Sequence, residues 1–196
     1  PTSKFAEAVA KRAQELAAKS DRPKTGPGIT LGPLTPSLDG DAITYKYVKG
    51  SIDRAKRLCE LTISAPDTAQ PTTDEEYQAA GDQAWAIRAF RELDDALLRL
   101  RLNEPEIGTW LIRTEGDAAA VLALDELLAR FGEHWLVRET VGLLRRTFSR
   151  LDVSSRSLFA VIEPGSCFAG TLLELALACD RSYQLVLPDE PAKQPT

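Results

Sequence analysis

Short apolar runs, spaced by segments of helical pattern, constrain this chain more than any other feature. Ile107 to Thr114 and Leu158 to Ile162 read as buried strands, and Ser182 to Leu187 as a third strand. Between them, Ala118 to Phe131 and Trp135 to Leu151 read as helices, and Gly170 opens another through Ala178. Ahead of them, Ala84 to Leu102 is the clearest helix. Its Trp85, Phe90, Leu93, Leu97, Leu98 and Leu100 recur at helical spacing until Asn103-Glu-Pro105 stops it. Strands alternating with helices predict parallel pairing through right-handed crossovers, hence an α/β fold.

The first part of the chain reads differently. Ser3 to Ser20 places Phe5, Val9 and Leu16 among alanines, a helix pattern. Asp21 to Gly40 carries Pro23, Pro27, Pro33 and Pro36, which remove backbone donors and favour an extended linker. Ile43 to Val48 alternates apolar and polar residues, and Leu58, Cys59, Leu61 and Ile63 follow after Gly50, so a two-stranded hairpin is expected. Thr73 is placed to cap an acidic helix start that runs to Gln83.

Composition excludes several functions. A net charge of -5 argues against non-specific nucleic-acid binding, which needs a basic face to release phosphate counterions. No apolar run is long enough to cross a bilayer as a helix, and no basic-then-apolar leader is present. Cys59, Cys167 and Cys179, odd in number and widely spaced, read as reduced thiols of a cytoplasmic protein. With no Cys-x-x-Cys pair and His134 as the only histidine, no metal site is expected. A Ser-His-Asp triad is disfavoured too, since no Gly-x-Ser-x-Gly elbow occurs. The chain lacks methionine and ends in a polar tail directly after a strand-like run, which reads as a piece of a longer polypeptide.

The stretch from Val161 to Asp180 carries the chemistry. A buried strand enters a loop of small residues, and a helix leaves it at Gly170, whose lack of a Cβ lets a ligand approach closely. The first N–H groups of such a helix lack internal partners and suit a developing negative charge. At a thioester carbonyl, each fixed donor of this kind lowers the barrier by about 3–4 kcal/mol. Glu174 follows one turn into the helix, where a buried carboxylate can act as general acid or base. The plainer reading is a strand–helix turn with a solvated glutamate.

Gly170-Thr-Leu-Leu-Glu-Leu-Ala-Leu-Ala-Cys-Asp180 resembles the Gly-Gly-Gly-x-Glu-Leu-Ala-Leu-x-Cys-Asp signature of the crotonase (enoyl-CoA hydratase/isomerase) superfamily. Leu111-Ile-Arg-Thr-Glu-Gly116 resembles that family's Val-Val-Leu-Thr-Gly strand, and Thr62-Ile-Ser-Ala-Pro66 stands where it has Leu-Asn-x-Pro. Trp85 to Gly116, Glu133 to Thr147 and Val153 to Gly170 look closer still to a ring-cleaving branch, whose longer chain holds two crotonase-like regions.

The resemblance implies a crotonase-like spiral of ββα units, incomplete in this chain. Residues 1–22 would be the last helix of a preceding crotonase-like region, 23–41 a linker, and 42–196 the start of a second region. It implies a carbon–carbon lyase or hydrolase that opens an oxygenated, dearomatised benzoyl-CoA ring with water, giving a semialdehyde thioester and formate in aerobic benzoate degradation. The expected partners are an acyl-CoA substrate and further copies in a homo-oligomer. No cofactor is implied, since coenzyme A belongs to the substrate. Carried over by position, Glu174 matches the first hydratase glutamate, and the backbone N–H groups of Thr171 and Leu122 stand at the two oxyanion positions. Gly170, Cys167 and Glu163 line the same expected pocket.

The sequence departs from that pattern in ways that matter. Thr171 and Leu172 replace the second and third glycines of the signature, and Asp117 to Asp125 has no glycine in the loop that carries the other donor. The hydratases' second carboxylate would fall beyond Thr196. These departures favour a copy that helps packing or assembly while catalysis sits elsewhere in the longer protein. An ordinary enoyl-CoA hydratase or isomerase, and an assembly module without chemistry, are the rival readings. Elsewhere, His134 is expected as a hydrogen-bond partner at a helix start and Cys167 as an inert thiol. Glu163 is expected near Arg145, Arg146 or Arg156. Arg138, Arg145, Arg146 and Arg150 form a basic face that pairs with Glu139 and Asp152 or meets CoA phosphates.

Overall fold

The computed structural model describes residues 2–22 and 25–186. Helix α1 (Phe5–Ala18) comes first, and every one of its residues is exposed. Four antiparallel strands follow as a meander: β1 (Ser37–Asp39), β2 (Ala42–Thr44), β3 (Val48–Asp53) and β4 (Leu58–Ser64). Helices α2 (Asp74–Ala80) and α3 (Trp85–Asn103) lead to β5 (Thr109–Glu115), parallel to β4. Helices α4 (Ala118–Arg130) and α5 (Trp135–Asp152) lead to β6 (Ser157–Ile162), parallel to β5. A 3-10 turn (Gly170–Leu172) and the short α6 (Leu173–Leu177) lead to β7 (Arg181–Gln184), parallel to β6. The strands line up in one sheet in chain order. The α/β class and the parallel pairing are therefore as expected.

Three expectations need correction. The hairpin is a four-stranded meander, because the run 43–48 breaks at residues 45–47. Tyr45 N–H closes a turn on Val48 O at 2.8 Å, while Tyr47 N–H leaves the ladder and donates to Glu92 at 2.7 Å. The alternation there marks two buried tyrosines, whose hydroxyls donate to Asp95 and Asp67, and not one continuous strand. The linker expected over 23–41 gives up residues 37–39 to β1. Upstream of β1 it forms a strap: Gly32 N–H donates to Asp82 at 2.7 Å, and Arg91 donates to Gly32 O at 2.7 Å. Ile29 and Leu34 of this strap pack on the core. The last strand covers 181–184 instead of 182–187. Pro23, Lys24, Leu187 and the polar tail lie outside the described residues.

Sheet pleating sorts side chains by face. Cys59, Leu61 and Ile63 on β4, Trp110 and Ile112 on β5, and Leu158 and Ala160 on β6 are buried beneath the helices. The helix layer is closed by edge-to-face contacts of Trp85 with Phe90 and of Phe90 with Phe148. The Tyr77 hydroxyl donates to Thr140, which in turn donates to Leu136 O of its own helix. The opposite face, with Glu60, Thr62, Leu111, Arg113, Phe159, Val161 and Tyr183, has no fully buried residue. Parallel strands are normally covered on both faces; among the described residues, helices cover only one face of this sheet.

Candidate functional site

The carboxyl ends of β4, β5 and β6 meet at one corner, the position where open α/β sheets usually place a site. Ala65 N–H donates to Glu115 O at 2.8 Å, and Gly116 N–H donates to Gly165 O at 3.2 Å. Gly116 (φ 122) is held so close to this crossing that a Cβ on it would lie 2.7 Å from Ala65 Cβ. The loop 163–169 folds over the end of β5, where Cys167 N–H donates to the Thr114 hydroxyl at 2.9 Å. The Gly170 bend thus sits beside the end of the Ile107–Thr114 run.

Two carboxylates the sequence had not singled out tie the run from Gly170 to Asp180 into the fold. At the amino end of β6, away from the corner, Asp180 Oδ2 accepts Leu158 N–H at 2.8 Å and Asp180 N–H donates to Leu158 O at 2.9 Å, tying the end of the signature run to that strand. Asp125, on α4, faces the bend itself. Its Oδ2 accepts Thr171 N–H at 2.6 Å, and its Oδ1 accepts the Thr171 hydroxyl. Gly170 has φ +48, and a Cβ there would lie 1.9 Å from Asp125 Oδ2. Glycine at 170 therefore makes room for a carboxylate of the protein's own. No local pattern could have found Asp125, since its partner lies 46 residues away in the chain.

The remaining site residues fall out as follows. Leu122 lies in the second turn of α4, where a backbone N–H belongs to the helix's own ladder. Its side chain reaches the Gly170 bend, 3.3 Å from where a Cβ would stand. Glu174 is exposed on α6, and its carboxylate has no hydrogen-bond or ion-pair partner among the described residues. Cys167 is buried, and burial pushes its thiol pKa up. Glu163 is exposed and pairs with Arg113, which also reaches Glu60 at 3.3 Å, and not with Arg145, Arg146 or Arg156. His134 Nε2 lies 3.1 Å from Gln78 Oε1, which also accepts from Trp135 Nε1 at 3.2 Å, so the histidine serves the helix start. Of the basic face, Arg150 pairs with Asp94 on α3, not with Glu139 or Asp152. The bend, Asp125, Thr171, Leu122 and Cys167 are brought together, while Glu174 and Glu163 stay on the surface.

Comparison with known proteins gives these corners a context. No protein-family model matches the chain. It is 50% identical over 181 residues to benzoyl-CoA-dihydrodiol lyase of Aromatoleum evansii, a match that takes in 92% of this chain. The chain spans 33% of that relative's length. The resemblance read from Trp85 to Gly170 thus extends over nearly the whole chain. Among solved structures, an enoyl-CoA hydratase from Geobacillus kaustophilus superposes with a TM-score of 0.43 and 16% identity, over 72% of this chain and 46% of that one. No helix among the described residues is long and apolar enough to cross a membrane.

Proposed function

We propose that this chain is the scaffold third of a benzoyl-CoA-dihydrodiol lyase, a crotonase-type enzyme that opens an oxygenated, dearomatised benzoyl-CoA ring with water. The 50% identity over 181 residues carries this reading. Two chains that agree at half their positions over such a length keep the same core and the same loops. In this reading the whole protein binds an acyl-CoA thioester, in which coenzyme A is part of the substrate, and releases a semialdehyde thioester and formate. Assembly into a homo-oligomer and a cytoplasmic setting belong to the same proposal.

The scaffold role rests on Asp125. A thioester oxyanion in this copy would use the Thr171 N–H, yet that donor already holds an internal carboxylate at 2.6 Å. Two anions do not share one donor at close range, because like charges that near repel strongly in a partly dry site. The second position, Leu122, sits inside a helix, where its N–H is engaged by the backbone. Glu174, the one catalytic carboxylate the family pattern supplies here, is exposed on α6 and has no hydrogen-bond or ion-pair partner among the described residues. The geometry therefore supports a copy of the fold that keeps the thioester corner as architecture, not an enoyl-CoA hydratase or isomerase.

Calorimetric titration of the chain with benzoyl-CoA tests this. No heat of binding is expected. Saturable binding that is lost in Thr171→Pro, which has no N–H to donate, would return the corner to catalysis.

A further inference from the structure

We infer that residues 25–36 form a latch over the groove between α3 and α5, closed at one clasp on Gly32, and that the latch opens as a unit while the rest of the fold stays shut. Gly32 is gripped twice: its N–H donates to Asp82 Oδ2, and its carbonyl accepts from Arg91 Nη2, each at 2.7 Å. Among the described residues, these are the only hydrogen bonds that any residue from 25 to 35 makes. Pro27, Pro33 and Pro36 have no N–H to offer. Apolar contact adds Leu34 and Ile29, the latter against the Gly81 turn. The stretch is thus tied to the body at one point, and segments bonded so thinly open far more readily than a core does.

The clasp itself stands on the packed body. Asp82 sits in the 3-10 turn (Gly81–Gln83) between α2 and α3, Arg91 sits on α3, and their charged groups are 3.7 Å apart. A Cβ on residue 32 would stand 3.2 Å from Asp82 Oδ2, so glycine there lets the clasp close without crowding. Each bond carries a charge on the body side, which makes it stronger than a neutral one. Pro33 and Pro36 stiffen the stretch from the clasp to β1, while Gly26 and Gly28 loosen the far end. The latch therefore swings as a rod about the start of β1. Leu31 and Leu34 wall a groove of about 580 Å³ whose other side is Trp135 and Leu143, so the swing opens that groove along one wall.

Amide hydrogen exchange of the 196-residue chain, read residue by residue by NMR, tests the latch. The Gly32 amide should be about a hundredfold or more less protected than those of Leu61 and Ile112 in the central strands. Its exchange should also be indifferent to low urea, because a local opening uncovers little surface. Arg91→Gln loosens the grip on the Gly32 carbonyl and leaves Asp82 to hold the N–H. It should speed Gly32 exchange about tenfold, the scale of one charged hydrogen bond, with Leu61 and Ile112 unchanged. Chymotryptic cleavage after Leu31 should accelerate by the same factor. Gly32 exchange as slow and as urea-sensitive as that of Leu61 in the parent chain would overturn the proposal, and this comparison stands even if the variant does not fold. So would an Arg91→Gln chain in which Gly32 exchange is unchanged, or in which all three amides lose protection equally.

Discussion

The backbone N–H of Tyr47 donates to Glu92 at 2.7 Å, and Glu92 is wholly buried. Its other oxygen accepts Arg88 Nε at 2.5 Å, one turn back on α3. One carboxylate thus joins the break in the meander to the central helix. Buried charges persist only when paired and hydrogen-bonded.

Glu92→Ala leaves both the Tyr47 N–H and the Arg88 guanidinium without their partner. A loss of about 3–5 kcal/mol is expected, because an orphaned buried charge costs more than the pair contributes. Glu92→Gln, which keeps an acceptor, should cost less. Urea unfolding followed by the fluorescence of buried Trp85, which touches the Tyr47 ring, measures both. Equal stability of the alanine variant and the parent chain would refute the account.

Asp125→Ala removes two hydrogen bonds to a carboxylate and should cost about 2–4 kcal/mol. Gly170→Ala meets the same carboxylate from the other side, on backbone with φ +48. Part of its cost is that clash and part is left-handed strain of about 1–3 kcal/mol. The double variant should therefore cost less than the two singles combined, a coupling that a double-mutant cycle reads directly. Simple additivity would mean the two residues do not meet.

Alkaline pH should unfold the chain early. Burial raises the Cys59 thiol from 9.0 to about 12 and the Tyr77 phenol from 10.0 to about 12. The folded state then holds protons that the unfolded chain releases first. The stabilisation is complete below the unfolded values and drains away as pH climbs from 9 toward 12. Cys59 alone should account for about 1–2 kcal/mol of the loss between pH 9 and 10.5. Cys59→Ala should flatten that part of the profile, whatever its constant cost from the cavity. A profile of unchanged slope in the variant would contradict the assignment.

Glu174→Gln in a full-length lyase carrying this stretch should leave both the ring-opening rate and the yield of folded protein unchanged, since the carboxylate is exposed without a partner. A rate drop of about a hundredfold, the scale of a lost general acid or base, would make this corner catalytic.

The parallel half of the fold was legible from the residues because its strands are short apolar runs between helices that share one buried stripe. Leu158 to Ile162 and Ile107 to Thr114 need no distant information to be recognised. The meander was not legible, because Tyr45 and Tyr47 mimic strand alternation while serving Asp95 on α3 and Asp67 in the loop after β4. The strap was hidden by its prolines, which argue for a loop but say nothing of Asp82 and Arg91 holding Gly32. At the site, Gly170 was legible as a residue that something must approach closely. That the approaching group is Asp125 is a fact of tertiary packing alone.

The one-sided sheet leaves a mark on how the chain tolerates change. Along β4, Cys59, Leu61 and Ile63 are sealed from water, while Glu60 and Thr62 between them and Ser64 after them are not. A saturation scan of this strand should print a beat of two, each intolerant position followed by a permissive one. The same beat should run through β5 and fade toward β7, whose four residues are all exposed.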